Sequence, residues 1–98
     1  MTSNQPRKNV PYTPVVTRGP SRAIAEKLPE AVAAAVIEFI TGPLIENPRR
    51  IGKPMHAELT GTHSARRGEW RIIYRIDEQA HEVHVIRVDH RGAVYHRR

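Results

Sequence analysis

The stretch "GEWRIIYRID", Gly68 to Asp77, decides how the rest of the chain is read. A strand points successive side chains to opposite faces, so Trp70, Ile72, Tyr74 and Ile76 form an apolar face while Arg71 and Arg75 flank Ile73 on the other. The even face is built for a core. The odd face offers two guanidinium groups, either to a negative partner or to solvent, and the stretch alone does not decide between them.

Working outward, two further strand-like runs bracket it, "THSARR" before and "HEVHVIRVDHR" after, joined to it by the short connections "GE" and "EQA". Short connections make antiparallel neighbours, so the three runs form a meander. In the last run both Val83/Val85 and Ile86/Val88 call for burial, which predicts a bulge or bend; odd parity beyond it puts Arg87 and Arg91 on the side of Arg71. Upstream, "YTPVVT" is β-branched, and its Pro14 marks an edge strand. "GPSRAIAEKL" predicts a helix of about two turns capped by Ser21, and "PEAVAAAVIEFITG" a second helix opened by Pro29 and closed by Gly42. Val32, Val36, Phe39 and Ile40 make its apolar stripe, with Glu38 elsewhere. From Pro43 to Thr62 three prolines and no sustained period read as loop. The polar residues 1–11, with Pro6 and Pro11, read as a flexible tail, and 12–98 as one domain. The expected fold is α+β: an N-terminal strand, a helix hairpin, then an antiparallel meander, with the helices on one face of the sheet.

A chain of 98 residues has room for one small core and none for a dinucleotide-binding unit with a partner domain. Its charge is uneven. Of the formal +6, +5 falls from Arg49 onward, where eleven basic residues stand against six acidic ones, so an anionic partner is expected to meet the second half. The absence of cysteine rules out disulfides and thiol catalysis. The N-terminus has no apolar signal region, and the longest apolar run, "AVAAAVIEFI", is about half a bilayer span and interrupted by Glu38. A soluble cytoplasmic protein with no membrane contact is the expectation.

Arginine pairs bidentately with phosphate and keeps its charge, so Arg71, Arg75, Arg87 and Arg91 on one sheet face suit a nucleic-acid backbone. Arg49, Arg50 and Lys53 in the loop, with Arg66 and Arg67, are placed to border that site. The plainer alternative is that some of these arginines form surface ion pairs with Glu69, Glu82 or Asp89. His81 and His84 lie three apart on a strand, hence on opposite faces, and no metal or other cofactor is expected. His63 and His90, near strand ends beside basic residues, are candidates for moving protons near neutral pH. Tyr95, close in sequence to Arg91, Arg97 and Arg98, has the positive neighbours a phenol needs to act as a base. There is no glycine-rich phosphate loop, nucleophile elbow or separated carboxylate pair. Arg, Lys, Tyr and His remain, the set required for metal-free RNA cleavage through the substrate's own 2′-hydroxyl.

Taken together, "LTGTHSARRGEWRIIYRID" and "VIRVDHRGAVY" resemble the RelE/ParE superfamily of bacterial toxins, closest to its RelE and YoeB branch. The resemblance runs from Tyr12 to Tyr95 and rests on "L-x-G-x-H-S-x-R", the "W-R-I-I-Y-R-I" strand and the terminal "H-R-x-x-V-Y". It implies a microbial-RNase-like fold, cleavage of mRNA in the ribosomal A site without metal, and a cognate antitoxin of RelB-like or YefM/Phd-like type. Arg71 falls on the family arginine that stabilises the transition state, Arg91 on a second active-site position and Tyr95 on the C-terminal tyrosine. Thr62 and Ser64 stand where some RelE members carry paired lysines, and Met55 where the YoeB type has its glutamate. Tyr95, His63, His90 and Glu58 therefore all remain open as the general base. A ParE-like gyrase poison or a non-catalytic nucleic-acid-binding module is the alternative.

Overall fold

A computed structural model describes residues 10–90. Strand β1 (Thr13–Val16) leads into helix α1 (Arg18–Arg22), which widens into a π turn over Ala23–Lys27 before α2 (Glu30–Ile40). Two single-turn helices follow, α3 (Pro43–Glu46) and α4 (Pro48–Ile51), then the short strand β2 (Lys53–Pro54) and a 3₁₀ turn over Ala57–Leu59. The meander is β3 (His63–Arg67), β4 (Trp70–Asp77) and β5 (Glu82–His90). These strands make one five-stranded sheet in the order β1-β5-β4-β3-β2. All neighbours are antiparallel except β1, which runs parallel to β5 with Thr13 opposite Glu82.

The even face of β4 meets the helices, as its alternation predicts. Ile72 and Tyr74 pack with Ala65, Val83, Val85 and Val88 against Val36, Phe39 and Ile40 of α2 and Leu44 and Ile45 of α3; Val32, Trp70 and Ile76 lie at the margin. The bulge falls on β5: Ile73 pairs with Arg87 but Tyr74 with Val85, so Ile86 is the extra residue. That insertion switches the parity of β5 and lets Val83, Val85 and Val88 share one core. Ile73 is fully buried on the other face, outside that core cluster. Gly68, at φ +62, makes the two-residue turn between β3 and β4, a backbone region open to glycine without strain.

Three local readings are corrected. The first helix is entered at Thr17, not at Ser21, whose N–H instead donates to the Thr17 carbonyl within the first turn. The stretch after Pro43 is not continuous loop: Pro43 and Pro48 each sit at the first helical position, where their fixed φ favours a turn and their missing N–H is no loss. A fifth strand, β2, also forms there by pairing Lys53 with Ser64. Among the described residues no helix is long and apolar enough to cross a membrane.

Candidate active site

Pairing across the sheet settles which side chains share the face turned away from the helices. Arg71 lies opposite Arg66 on β3 and Asp89 on β5; Ile73 lies between Ser64 and Arg87; Ser64 in turn pairs with Lys53. These pairs alternate with the core pairs, so Lys53, Ser64, Arg66 and Arg71 converge on one side. There they line a groove of about 640 Å³ together with Ile51, Pro54 and Met55. Arg71 is half-buried on an interior strand, while Lys53 and Arg66 are exposed at its rim. A rigid strand thus fixes one guanidinium inside a concave cationic surface, the arrangement that binds an anion without reorganising. Among the described residues lining this groove none is a carboxylate or an imidazole. Its described lining offers cations and one hydroxyl, that of Ser64.

The groove depends on a close approach at Gly52. A Cβ there would fall onto the Tyr74 hydroxyl and lie 2.8 Å from the Ser64 carbonyl oxygen, so only glycine lets the α4–β2 connection lie this close to β3. Tyr74 is fully buried, donates its hydroxyl to the Pro48 carbonyl, and has its pKa pushed up to about 12 by burial. It anchors α4 from below.

Of the other cations, Arg75 is exposed on the Arg71 face, and Arg87 shares that face in an ion pair with Asp89 at 3.3 Å. Arg67 pairs with Trp70, so it extends from the helix side. Arg50 is exposed on α4 outside the groove lining. Arg49 is drawn to Glu78, with Nε at 2.9 Å and Nη2 at 2.7 Å from one carboxylate oxygen, and the Tyr12 hydroxyl donates to the same carboxylate at 3.0 Å. This tie holds Glu78 below the ordinary carboxylate range. Arg91 and Tyr95 lie outside the described residues.

The histidines fall away from Arg71. His63 pairs with Tyr74 and stacks on its ring with centroids 5.6 Å apart, and His90 pairs with Trp70, meeting it edge-on at 5.2 Å. Both pairings belong to the core face, so the structure does not bring either imidazole into the groove. Glu58 is exposed on the 3₁₀ turn and does not line the groove. His84 meets Glu82 and Asp77 across the β4–β5 turn, with ligating atoms within 4.8 Å of one another, and its Nε2 donates to Glu82 at 2.8 Å. Geometrically these three could hold a cation; Arg75, opposite His84, opposes one.

Burial, and secondarily the charge of Arg49, lower the pKa of His63 from its ordinary 6.5, and its Nδ1 is buried without a hydrogen-bond partner. The folded state therefore prefers neutral imidazole while the unfolded state protonates first. Its contribution to stability is complete above pH 6.5 and is lost as pH falls from there through the depressed folded value. Chemical denaturation midpoints measured between about pH 5 and 7 should fall on the acid side, and His63→Phe should flatten that slope. A slope unchanged by the substitution would place its origin in another group.

What sequence reading missed is that Ile51 and Pro54 line the groove and that Ser64 sits between Lys53 and Ile73; Met55, which the resemblance set at the YoeB glutamate position, lines it too. Only the pairing of β2, too short to leave a periodic signal, assembles them.

Comparison with known proteins shows the family and the fold. A family model described as the ParE toxin of type II toxin-antitoxin system, parDE, matches residues 18–95. The chain is 46% identical over 85 residues to Toxin RelE of Mycobacterium tuberculosis (strain ATCC 25618 / H37Rv), covering 87% of each. It is 48% identical over 88 residues to Toxin RelG of the same organism, covering 90% of this chain and all of that one. The crystal structure of the toxin-antitoxin complex RelBE2 from M. tuberculosis contains a chain 50% identical, with TM-score 0.79, covering 84% of this chain and 100% of that one. Isolated E. coli RelE, 16% identical with TM-score 0.68 over 85% of this chain and 87% of its own, shares the fold.

Proposed function

The chain belongs to the RelE/ParE superfamily of toxins from type II toxin-antitoxin systems, and we propose that it is an RNA-cleaving member, an endoribonuclease acting on mRNA in the ribosomal A site. The observation that carries this reading is the groove that sets half-buried Arg71 among Lys53, Ser64 and Arg66. In the proposed reaction a base takes the proton of the 2′-hydroxyl, whose oxygen attacks the adjacent phosphorus in line. The bond to the 5′-oxygen breaks as that oxygen is protonated, leaving a 2′,3′-cyclic phosphate and a 5′-hydroxyl. Arg71 stabilises the charge that accumulates on the non-bridging oxygens, while Lys53 and Arg66 hold flanking phosphates. Arg75 and Arg87 extend the same cationic face. By resemblance Arg91 is the second cation and Tyr95 moves the proton; His63 and His90, on the core face, are left without that part. The partner that restrains the toxin is an antitoxin of the RelB class, by analogy with the complex of the 50% identical chain.

The family model's description keeps a second reading in view, a ParE-like protein that binds DNA gyrase. The two separate cleanly. Ribosomes programmed with a defined mRNA and treated with the purified chain should yield new ends at the A-site codon bearing 2′,3′-cyclic phosphate and 5′-hydroxyl. The yield should drop steeply with added salt, as phosphate contacts demand. Whole mRNA, together with gyrase–DNA complexes accumulating in growth-arrested cells, would overturn the nuclease reading in favour of the gyrase one.

A further inference from the structure

Part of the groove carries chemistry that phosphate recognition does not use. Beside Lys53, Arg66 and Arg71 its lining includes Ile51, Pro54 and Met55. Ile51 is 40% exposed, one of the few large aliphatic side chains left in water among the described residues. Met55 is half-buried, and its N–H donates to the Thr62 carbonyl at 2.9 Å, prolonging the β2–β3 ladder by one residue beyond Pro54. Two residues on from Lys53 along this extended edge, Met55 lies on the same side. Gly52 brings the whole segment down against Ser64 and Tyr74, so the apolar patch sits at a fixed height beside the cations.

A ligand that fills this surface must be anionic at one end and flat and apolar on its faces, which is the character of a nucleotide. We propose that Ile51 and Met55 form a nucleobase subsite, occupied by the base adjoining the phosphate held on Arg71, and that this subsite favours purines. The proposal rests on the RNA-cleaving reading above. The volume, about 640 Å³, lies inside the range of roughly 300–1,000 Å³ that accommodates small organic ligands. A thioether packs favourably against an aromatic ring, and stacking is indifferent to the pattern of donors on the base edge. The Ser64 hydroxyl both donates and accepts, so it does not tell one base edge from another. Selection therefore falls to the area of the ring face, and the two-ring bases win.

The test is single-turnover cleavage on ribosomes programmed with matched mRNAs that differ only in carrying a purine or a pyrimidine beside the scissile phosphate. Wild-type protein should cleave the purine message faster. Met55→Ala and Ile51→Ala should each slow purine cleavage by about tenfold, the order expected for losing one stacking partner, and pyrimidine cleavage clearly less. Met55→Leu, which keeps most of the apolar surface, should retain a purine preference. Both truncated side chains lie at the surface rather than in the core cluster, and thermal melting in parallel confirms that each variant is folded. Cleavage by wild type with a purine-to-pyrimidine ratio unmoved by either alanine would overturn the subsite alone. Failure of wild type to cleave any message would overturn the nuclease reading and the subsite with it.

Discussion

Arg71→Ala is expected to slow single-turnover cleavage of ribosome-bound mRNA by about a hundredfold or more, the usual order for losing a principal donor to an oxyanion. The expectation follows from where the side chain stands. Arg71 is on an interior strand, paired with Arg66 of β3 on one side and with Asp89 of β5 on the other, and half-buried at the groove. Its guanidinium is therefore held in place before the substrate arrives, which makes it more effective against developing charge than a freely moving surface cation. Ribosome affinity should fall far less, because Lys53 and Arg66 still meet the backbone. Arg71→Lys should recover only part of the rate, since an ammonium cannot present the planar fork that grips two phosphate oxygens at once. A rate for the alanine variant within a few-fold of wild type, in a protein that melts normally, would remove Arg71 from the chemistry.

Gly52→Ala should be the most damaging single methyl group in the described part of the molecule. The added carbon meets the Tyr74 hydroxyl and the Ser64 carbonyl, one a fully buried side chain and the other backbone of β3, and neither yields easily. Overpacking of this kind costs about 1–3 kcal/mol, and for a domain of this size that corresponds to a drop in melting temperature of roughly 5–20 °C. Relief comes only by moving the α4–β2 connection away from β3, which would break the hydrogen bond from Tyr74 to Pro48 and shift Lys53 relative to Arg71. Activity measured well below the melting temperature should fall as well. A variant as stable and as active as wild type would mean that the backbone here adapts more readily than its packing implies.

The strand pattern was legible because the even positions of β4 are all apolar and its odd positions are charged apart from Ile73, which leaves few other readings, and the conflict between Val83/Val85 and Ile86/Val88 announced the bulge that β5 contains. Arg71 could be placed from that parity alone, whereas Arg66, grouped with Arg67 in the sequence, is told from it only by the register of the Gly68 turn. The histidines could have been excluded by the same reasoning, had the register of the Gly68 turn been carried through to His63 and His90. What was not legible is short or distant. Four-residue helices such as α3 and α4 complete only one turn and show no period, and β2, with two residues, shows none either. Nothing local to Arg49 announces Glu78, which reaches it only through the fold. Nor does the sequence of β1 state that its neighbour is β5, and in parallel.

That last pairing governs how the molecule comes into being. The first strand described has as its sheet neighbour the last strand described, so Thr13–Val16 must wait through the synthesis of everything between before it can be zipped in. Helices and hairpins form locally and fast, whereas contacts between distant stretches of chain must first overcome the entropy of closing a long loop. The meander can assemble as its strands leave the ribosome, but joining β5 to β1 must await the synthesis of β5 itself. Until that pairing is made β5 stands as a bare edge of the sheet, and afterwards β1, whose Pro14 lacks an N–H to offer a further strand, takes the edge in its place.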